Sequence, residues 1–377
     1  MATRETGQQE FTLDTASELA AEEKGARIEG RSPWALAYRR LRRNRLALFF
    51  LAVFLLICVL CVLGGRASLY SSHISHLGVS DSNVNGFVTV NGKRIPVISQ
   101  AHTKIGPNGQ VTLVPGNVPI HPQWGAAGGK YVLGADELGR DIATRLLYGG
   151  YNSLFVGIVA AVICTILSVI LALVAAFFGG APDWIISRVF DLIWAFPVIL
   201  LGIALGTALS INGFHQGFHV GGHFIGVNLA GGSLWVTIAV ISIVFIPYIG
   251  RPLRGQVLAL RQREFIEAAT AQGAGSLRIM FTELLPNIAS SVLVLFTLIV
   301  ANAILTEAAL SFLGAGVQPP LPSWGTMIAE GQSNLATNPW LSLFPGIMIA
   351  LTVLSLNVFG DGLRDALDPR AKVRIEH

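Results

Sequence analysis

The run LALFFLAVFLLICVLCVLGG, residues 46–65, contains no charged residue and decides in which solvent the protein folds. A helix that crosses a hydrocarbon core of about 30 Å needs about 20 apolar residues. The run has this length, and a charge at its centre would cost about 2.5–3.5 kcal/mol. The sequence therefore predicts a first membrane span here, and charge-free intervals are the guide to the others.

Other charge-free intervals predict five more spans, at residues 154–178, 193–210, 234–249, 284–306 and 341–359. The second and third of these come from one long interval, which Gly, His and Asn residues divide. Charged residues make up 13% of the chain, whereas soluble domains average about 25%. The fold predicted from the sequence is therefore an all-α polytopic membrane protein with six transmembrane helices.

Lys and Arg residues are concentrated in segments on one side of the predicted spans, as expected for cytoplasmic loops. They precede span one, follow span six and lie between spans four and five: Arg39, Arg40, Arg42, Arg43, Arg45; Arg364, Arg370, Lys372, Arg374; Arg251, Arg254, Arg261, Arg263, Arg278. The short connections at residues 211–233 and 313–340 contain neither Lys nor Arg. Both termini are therefore predicted to be cytoplasmic.

The spans divide the chain into five segments. The first, residues 1–30, is acidic and polar, and it lacks the basic region followed by an apolar region that is typical of a signal peptide. The segments are a flexible cytoplasmic tail (1–30), an interfacial helix with span one (31–65), an extracytoplasmic insertion (66–131), the membrane core with spans two to six (132–362) and a cytoplasmic tail (363–377). The interfacial helix is suggested by Ser32 and Pro33, a cap and a first helical residue. A basic flank that only orients span one is the favoured alternative.

The insertion at residues 66–131 carries hairpin signals. An Asn-Gly pair at residues 91–92, the strongest short signal of this kind, lies between stretches of alternating hydrophobicity at 87–90 and 94–97. A second turn signal follows at residues 107–109. We therefore predict a small β-rich extracytoplasmic insertion between helices one and two.

The connection at residues 251–287 is the most informative segment between spans. Residues 257–272 suit a helix, and Gly273 is expected to break it. Ser276 is placed to cap a second short helix, which Pro286 would close. The sequence therefore predicts a helix, a glycine turn and a second helix on the side of the membrane where soluble partners are found.

The first of these helices has little side-chain bulk on part of its surface. Ala268 and Ala269 would let the backbone or groove of another protein approach closely, and the carboxylate of Glu267 is free to pair with a partner's cation. Composition alone is equally consistent with an ordinary surface helix hairpin. The residues by themselves leave both interpretations open.

The same connection resembles the EAA loop of ABC-importer permeases at Glu267, Ala268, Ala269, Gly273 and the run Leu285-Pro286-Asn287. The stretch LGADELGRD, residues 133–141, resembles the signature before the second span in the C-type subunit of the dipeptide/oligopeptide/nickel permease family. The run EAALSFLG at residues 307–314 fits the same family. The match covers residues 32–65 and 131–370. The chain departs from the residues usual in the family at Ala135, Tyr151 and Glu283.

This resemblance implies a six-helix fold of the ABC type I importer permease kind. In that family the loop forms a coupling helix that lies in a groove of a cytoplasmic nucleotide-binding subunit. ATP-driven closure of two such subunits rocks two permeases between inward-facing and outward-facing forms. The residues that the resemblance assigns to ATPase coupling are Glu267, Ala268, Ala269, Gly273 and Pro286.

The resemblance also implies the partners of the chain. They are a second, homologous permease subunit of the B-type, two ATP-binding ABC subunits or domains, an extracytoplasmic solute-binding protein and membrane lipid. The implied location is the cytoplasmic (inner) membrane of a bacterium or archaeon. The chain has no GxxxxGK[ST] loop, so ATP and Mg²⁺ are expected on the partner subunits, with no cofactor and no enzymatic activity on this chain. A net charge of +4 is too weak a bias to indicate a nucleic-acid partner.

The implied function is that of a transmembrane permease subunit of an ATP-driven ABC importer for di- or oligopeptides, forming half of the translocation pathway. Nickel or another small solute is the alternative within the same family. A stand-alone membrane channel or scaffold is the competing hypothesis from a different class. It would be favoured if residues 251–287 were dispensable.

Other polar and special residues suggest smaller roles. Asp136, Arg140 and Asp141 are expected to fold onto one another at the outer mouth, with contact to a binding protein as the alternative. Pro197 is expected to kink a helix that lines the pathway, because it frees a backbone carbonyl. The three cysteines lie in apolar runs and are expected to pack as small hydrophobes. No metal site is predicted.

His215, His219 and His223 recur every four residues between spans three and four. Imidazoles at this spacing on one face of a helix can bind a metal. The glycines between them argue against a regular helix, so the spacing loses its geometric meaning. A solvated loop is the expected state of this segment.

Replacing the three histidines together by Ala is therefore expected to leave uptake of a peptide substrate unchanged. Uptake is measured with the assembled transporter in cells or proteoliposomes. A loss of uptake that an added metal ion restores would show that these histidines bind metal.

Overall fold

A computed structural model of the chain describes residues 33–66, 87–90, 93–96, 102–105, 111–114, 119, 121–122, 132–136, 140–212, 214–220, 223–229, 233–318 and 321–367. Its helices are α1 (Pro33–Arg43), α2 (Arg45–Arg66), α3 (Ile142–Phe178), α4 (Gly180–Trp194), α5 (Val198–Asn212), α6 (Leu234–Arg261), α7 (Glu264–Ala271), α8 (Ser276–Arg278), α9 (Leu285–Phe312), α10 (Trp324–Gly331) and α11 (Trp340–Leu367). A π-helical stretch, Ile279–Leu284, joins α8 to α9, and a 3-10 turn, Gln332–Asn334, follows α10.

Five stretches of helix in the described part of the chain are long and apolar enough to cross a membrane. They are α2, α3, α6, the continuous stretch from α8 through α9, and α11. The pair α4 and α5 would supply a sixth span, but it is bent by 93°. The predicted mostly helical membrane fold is confirmed, and the six predicted spans correspond in the described residues to five, or to six if the bent pair counts as one span.

Several helices extend beyond the charge-free intervals that predicted them. α3 has 37 residues and begins at Ile142 rather than at residue 154, and α6 continues to Arg261 rather than ending at residue 249. Hydrophobicity marks only the part of a helix that lies in hydrocarbon. Helical hydrogen bonding continues further where charged side chains are paired, as they are for Arg145 and Arg254.

The third predicted span, at residues 193–210, contains a break between two helices, α4, which ends at Trp194, and α5, which begins at Val198. The carbonyl of Ile193 accepts the N–H of Phe196 at 3.4 Å, and the carbonyl of Pro197 accepts the N–H of Leu201 at 3.0 Å. Pro197 therefore precedes α5 and contributes to its first hydrogen bond. Instead of a kink within one helix, the structure has a 93° bend between two helices, and the role of Pro197 in the pathway stays a prediction.

The insertion at residues 66–131 is described in four strands of four residues each: β1 (Phe87–Val90), β2 (Lys93–Pro96), β3 (His102–Ile105) and β4 (Val111–Val114). β1 pairs with β2 and β3 with β4, as two separate antiparallel hairpins. An isolated two-stranded hairpin is marginally stable at best. The described residues therefore do not support a β-rich unit, and the chain is to be regarded as a helical protein with short hairpins.

Two predicted tails fall largely beyond the described ranges. The tail at residues 1–30 lies outside them, as does the end of the chain after residue 367. α11 continues to Leu367, so the start of the tail predicted at residues 363–377 is helical.

The core is built around α3, which packs against α2, α6 and α9. Ser168 donates its hydroxyl to the carbonyl of Ile246 at 3.0 Å, and Ser242 donates to the carbonyl of Ala160 at 3.2 Å. Small residues allow two helices in a membrane to approach closely, and their hydroxyl groups bond across the contact. These two bonds hold α3 against α6 along their length. The cysteines are free thiols among apolar neighbours, as predicted.

α10 fastens the connection between α9 and α11 onto the first turns of α3. Trp324 is fully buried, and its indole N–H donates to the carbonyl of Leu146 at 3.0 Å. Ser323 caps α10 and forms a capping box with Thr326. Asn152 donates to the carbonyl of Pro322 at 2.7 Å. This end of α3 is therefore covered by protein.

Candidate functional site

α7 is a short helix between α6 and the continuous helical stretch from α8 through α9. It lies at the end of α3 that contains Phe178. α6 ends at Arg261, and α7 begins after Arg263, its N-cap residue. The single helix predicted at residues 257–272 is therefore two helices. The N–H of Arg263 donates to the carbonyl of Leu260 at 3.0 Å, which ends α6 in a tight turn.

Ile266 anchors α7. It is 5% exposed and belongs to an apolar cluster with residues from α3, α6, the π-helical stretch and the start of α9: Leu173, Ala176, Val257, Ile279, Met280, Leu284 and Ile288. Residues two positions away along a helix point about 200° from one another. Glu264 and Ala268 therefore lie opposite the anchor, and both are exposed, as is Glu267.

Gly273 ends α7 in a left-handed turn. Its φ is 78°, a conformation that side chains with a Cβ rarely adopt. Its N–H donates to the carbonyl of Thr270 at 2.9 Å, and the N–H of Ala274 donates to the carbonyl of Ala269 at 3.0 Å. The predicted glycine turn is present at this residue.

The segment after the turn differs from the prediction. Gly275 is the N-cap of α8 and Ser276 is its first helical residue, so Ser276 does not cap the helix. Pro286 lies at the start of α9 and does not close a short helix. The π-helical stretch before it shifts the hydrogen bonding, and the N–H of Leu285 donates to the carbonyl of Met280. A proline is tolerated in the first turn of a helix, so helical structure continues through this point.

A groove of about 730 Å³ lies between α7 and the end of α3. Its lining residues are Phe177, Phe178, Arg261, Ile266, Glu267, Thr270 and Ala271. The guanidinium of Arg261 donates to the carbonyl of Ala176 at 3.3 Å. A cation at the C-terminus of a helix is favourable because of the helix dipole. The groove is thus lined mainly by apolar side chains, together with one acidic residue, Glu267, and one basic residue, Arg261.

Four charged side chains meet at the other end of α3, and we call them the acid–arginine cluster: Asp136, Arg140, Arg145 and Glu330. Asp136 Oδ2 accepts hydrogen bonds from Arg140 at 2.7 Å and from Arg145 at 2.6 Å. Glu330 Oε2 accepts from the same two residues at 2.7 and 2.6 Å. Two carboxylates and two guanidinium groups leave the cluster without net charge. It ties the chain before α3 to α10.

The cluster is partly shielded from water. Arg145 is 2% exposed, whereas the side chain of Glu330 is 32% exposed. Burial alone would raise the pKa of the Glu330 carboxyl, but the guanidinium groups of Arg145 and Arg140 outweigh it and hold that pKa below its ordinary value of 4.5. Glu330 is therefore a carboxylate at neutral pH, as a buried ion pair requires.

The three residues predicted at the outer mouth, Asp136, Arg140 and Asp141, have two different roles in the structure. Asp136 and Arg140 belong to the acid–arginine cluster, whereas Asp141 is the N-cap of α3 and accepts the N–H of Thr144 at 2.9 Å. Arg145 and Glu330 complete this site, and neither is among the residues predicted for it from the sequence. One signal was available: Glu330 is the single charged residue between residues 313 and 340, and an isolated charge beside a membrane is usually paired.

The three histidines lie in a hairpin formed by β5 (Phe214–Val220) and β6 (His223–Leu229). His215 and His219 are in β5, where residues four apart are separated by about 13 Å. His223 is in β6 and pairs with Val220 of β5. The spacing of four residues therefore does not place the three histidines on one face of a helix, as expected from the glycines between them. Metal contact at these residues stays untested.

α7 and the acid–arginine cluster lie at opposite ends of one helix. α3 has 37 residues and is therefore about 55 Å long, at about 1.5 Å per residue. A hydrocarbon core is about 30 Å thick. The two sites are thus separated by more than the thickness of the hydrocarbon core.

Two parts of the chain match known families. Residues 168–373 match the family described as binding-protein-dependent transport system inner membrane component. Residues 32–77 match the N-terminal TM domain of oligopeptide transport permease C. The chain belongs to the first of these, the family of binding-protein-dependent transport permeases. It is a multi-pass membrane subunit of an ABC importer and is not itself an enzyme.

Curated relatives of this permease cover most of its length. It is 35% identical to the dipeptide transport system permease protein DppC of Alkalihalophilus pseudofirmus over 344 residues, which are 90% of this chain and 91% of that one. It is 40% identical to the oligopeptide transport system permease protein OppC of Bacillus subtilis, over 63% of this chain and 72% of that one. It is 39% identical to the glutathione transport system permease protein GsiD of Pectobacterium atrosepticum, over 64% and 73%.

Replacing Glu330 by Gln preserves size but removes one of the two carboxylates from the acid–arginine cluster. We expect the free energy of unfolding to fall by about 1–3 kcal/mol, because the buried guanidinium groups of Arg140 and Arg145 keep Asp136 but lose their charged hydrogen bonds to a second carboxylate. The measurement is the apparent melting temperature of the purified permease. Asp365→Asn, which neutralises an exposed carboxylate near the end of α11, is the control and should change little. Equal melting temperatures for Glu330→Gln and the unaltered permease would contradict this expectation.

The contribution of Glu330 should also depend on pH. Because its pKa is lower in the folded state than in the unfolded state, its stabilisation is fully present above the ordinary value of 4.5. It is lost as the pH falls through the folded-state pKa. The difference in melting temperature between the unaltered permease and Glu330→Gln should therefore be constant near neutral pH and shrink in acid. A difference that persists undiminished into strong acid would show that the carboxylate charge is not its cause.

Proposed function

We propose that this permease is the transmembrane subunit of an ATP-driven importer of di- or oligopeptides, forms half of the translocation pathway and is coupled through α7 to a cytoplasmic ATPase. The observation that carries this proposal is the attachment of α7. One side of the helix is fixed by Ile266 in an apolar cluster shared by three long elements, and the opposite side is exposed. A helix held in this way can receive force from a partner without melting.

The exposed side of this region suits a protein partner. Leu277 is 68% exposed and Phe281 is 57% exposed, close in sequence to the exposed Ala268. Large apolar side chains on a surface beyond the membrane often mark an interaction site. The small side chain of Ala268 lets a partner backbone approach, and Glu267 offers a carboxylate to a partner cation. We therefore assign ATPase coupling to Glu267, Ala268, Ala269, Gly273 and Pro286, as the family resemblance suggests.

The proposed orientation places both termini and α7 in the cytoplasm. The excess of Arg residues around α1, α7 and the end of α11 supports it, by the positive-inside rule. The acid–arginine cluster, at the opposite end of α3, then lies on the outer side together with the insertion at residues 66–131. An extracytoplasmic solute-binding protein would approach from that side. The tails at residues 1–30 and 363–377 would be cytoplasmic.

The proposed partners follow from the transport family. They are a second homologous permease, two ATP-binding subunits or domains that hold ATP and Mg²⁺, and the solute-binding protein. The relatives named above support peptides as the substrate class. Nickel or another small solute remains the alternative, and a substrate-binding measurement with the cognate solute-binding protein would separate the two.

Two substitutions at α7 test the coupling. Gly273→Pro removes the left-handed turn and the N–H that bonds to Thr270, and Glu267→Lys reverses the exposed charge. Both are expected to abolish peptide uptake and to uncouple or release the ATPase, while membrane insertion stays intact. Uptake, ATP hydrolysis and co-purification of the ATPase are measured on the complete transporter.

Asp365→Lys is the matched control for Glu267→Lys, because it reverses an exposed charge on the same proposed side of the membrane. It should leave uptake unchanged. Normal uptake by both α7 variants would overturn the proposed coupling. Conduction of substrate by the permease alone, without an ATPase, would instead favour the channel hypothesis.

A further inference from the structure

α4 is separated by a backbone break from the helix on each side. At its start, the N-cap Gly179 and the first residue Gly180 have φ values of 66° and 58°, so α3 cannot continue into α4 as one helix. After it, the chain bends by 93° into α5. A rigid helix transmits displacement along its axis, but a break on each side removes that route. Any movement of α4 must therefore be passed to it by side-chain contacts with neighbouring helices.

Two ion pairs connect α4 to α6. The carboxylate of Asp183 accepts two hydrogen bonds from the guanidinium of Arg254, one from Nε and one from Nη2, the latter at 2.6 Å. Asp191 accepts one from Arg251 at 2.7 Å. Bidentate arginine–carboxylate pairs fix geometry as well as adding energy. The Asp183–Arg254 pair is also the less exposed of the two, with side chains 21% and 30% exposed.

Aromatic contacts reinforce the same interface. Phe190 of α4 is 1% exposed and lies against Gly250, where a Cβ atom would overlap its ring. The ring of Trp194 stacks on Tyr248 with centroids 4.5 Å apart, and the guanidinium of Arg251 lies 4.6 Å from the Trp194 ring centroid. We call these aromatic contacts and the two ion pairs together the α4–α6 clasp. It fixes both the distance between the helices and their register.

The clasp lies on the part of α6 that leads to α7. Arg254 and Arg261, the last residue of α6, are two helical turns apart, about 10 Å. α7 begins after the next two residues. On the other side of the clasp, α4 leads through the bend to Pro197 and α5. Because a turn also separates α7 from α6, a force applied at α7 reaches α6 through the apolar cluster that Ile266 shares with Val257, and it reaches the broken span across the clasp.

We propose that Arg254, with Asp183, is a positioning pair that transmits movement of α7 and α6 to the broken span α4–α5, and that the Arg251–Asp191 pair assists it. This rests on the proposed coupling function of α7. The pair is not needed for ATP hydrolysis, which takes place on another subunit. Its loss should therefore separate ATP consumption from transport.

The test uses the complete transporter in proteoliposomes, with peptide uptake and ATP hydrolysis measured together. Arg254→Gln is expected to lower peptide uptake by about tenfold, within the usual range of coupling between sites, while the complex still assembles and hydrolyses ATP. The number of ATP molecules consumed for each peptide should rise accordingly. Arg188→Gln is the matched control. Arg188 is exposed and pairs with Asp191 inside α4 itself, at 3.3 Å, so it does not join two helices.

Exchange of the two charges separates coupling from a general loss of structure. Asp183→Arg alone should fail in uptake, whereas Asp183→Arg combined with Arg254→Asp should recover much of it, because the ion pair is restored in reverse.

Three outcomes would overturn the proposal. One is an unchanged ratio of ATP to peptide in Arg254→Gln. Another is an equal loss in Arg188→Gln. The third is failure of Arg254→Gln and of the exchanged pair to assemble, since the role would then be structural. The Gly273→Pro result would still decide the proposed function independently, because that variant leaves the clasp intact.

Discussion

Wherever this chain crosses hydrocarbon, its backbone has to satisfy its own hydrogen bonds, because lipid tails neither donate nor accept them. Long helices meet this requirement for most of the chain. At the broken span α4–α5, the residues around the break meet it locally, through the bonds of Phe196 to Ile193 and of Leu201 to Pro197. Buried serines contribute across helix contacts, as Ser168 does to Ile246. The arrangement of every other feature depends on these helices.

Charged residues are governed by the same constraint. At one end of α3 they form the acid–arginine cluster, in which each carboxylate accepts from two arginines. At the other end, the α4–α6 clasp joins helices that the backbone leaves separate. The middle of the membrane core is held by apolar packing and serine hydroxyls.

Local physical chemistry was sufficient for much of the fold. The charge-free intervals identified the spans because the cost of a charge in hydrocarbon is a local property of the sequence. Gly273 was identified as a turn for a similar reason, since a left-handed turn favours a residue without a Cβ. Local signals failed at Pro286, where a π-helical stretch lets the helix continue, and in the insertion, where hairpin signals do not report whether two hairpins join into one sheet. The boundary of α6 was also misjudged, because pairing of Arg254 lets the helix continue past the apolar run.

The sequence by itself determined the solvent, the number of candidate spans, the position of the glycine turn and the transport family that its motifs resemble. Each of these depends on residues that are close together along the chain. Only the tertiary structure decided that Glu330 completes a cluster with Arg140, 190 residues away, and that Asp183 pairs with Arg254, 71 residues away. Such contacts depend on how helices pack, and the periodicity of a single helix carries no information about the neighbour it will meet.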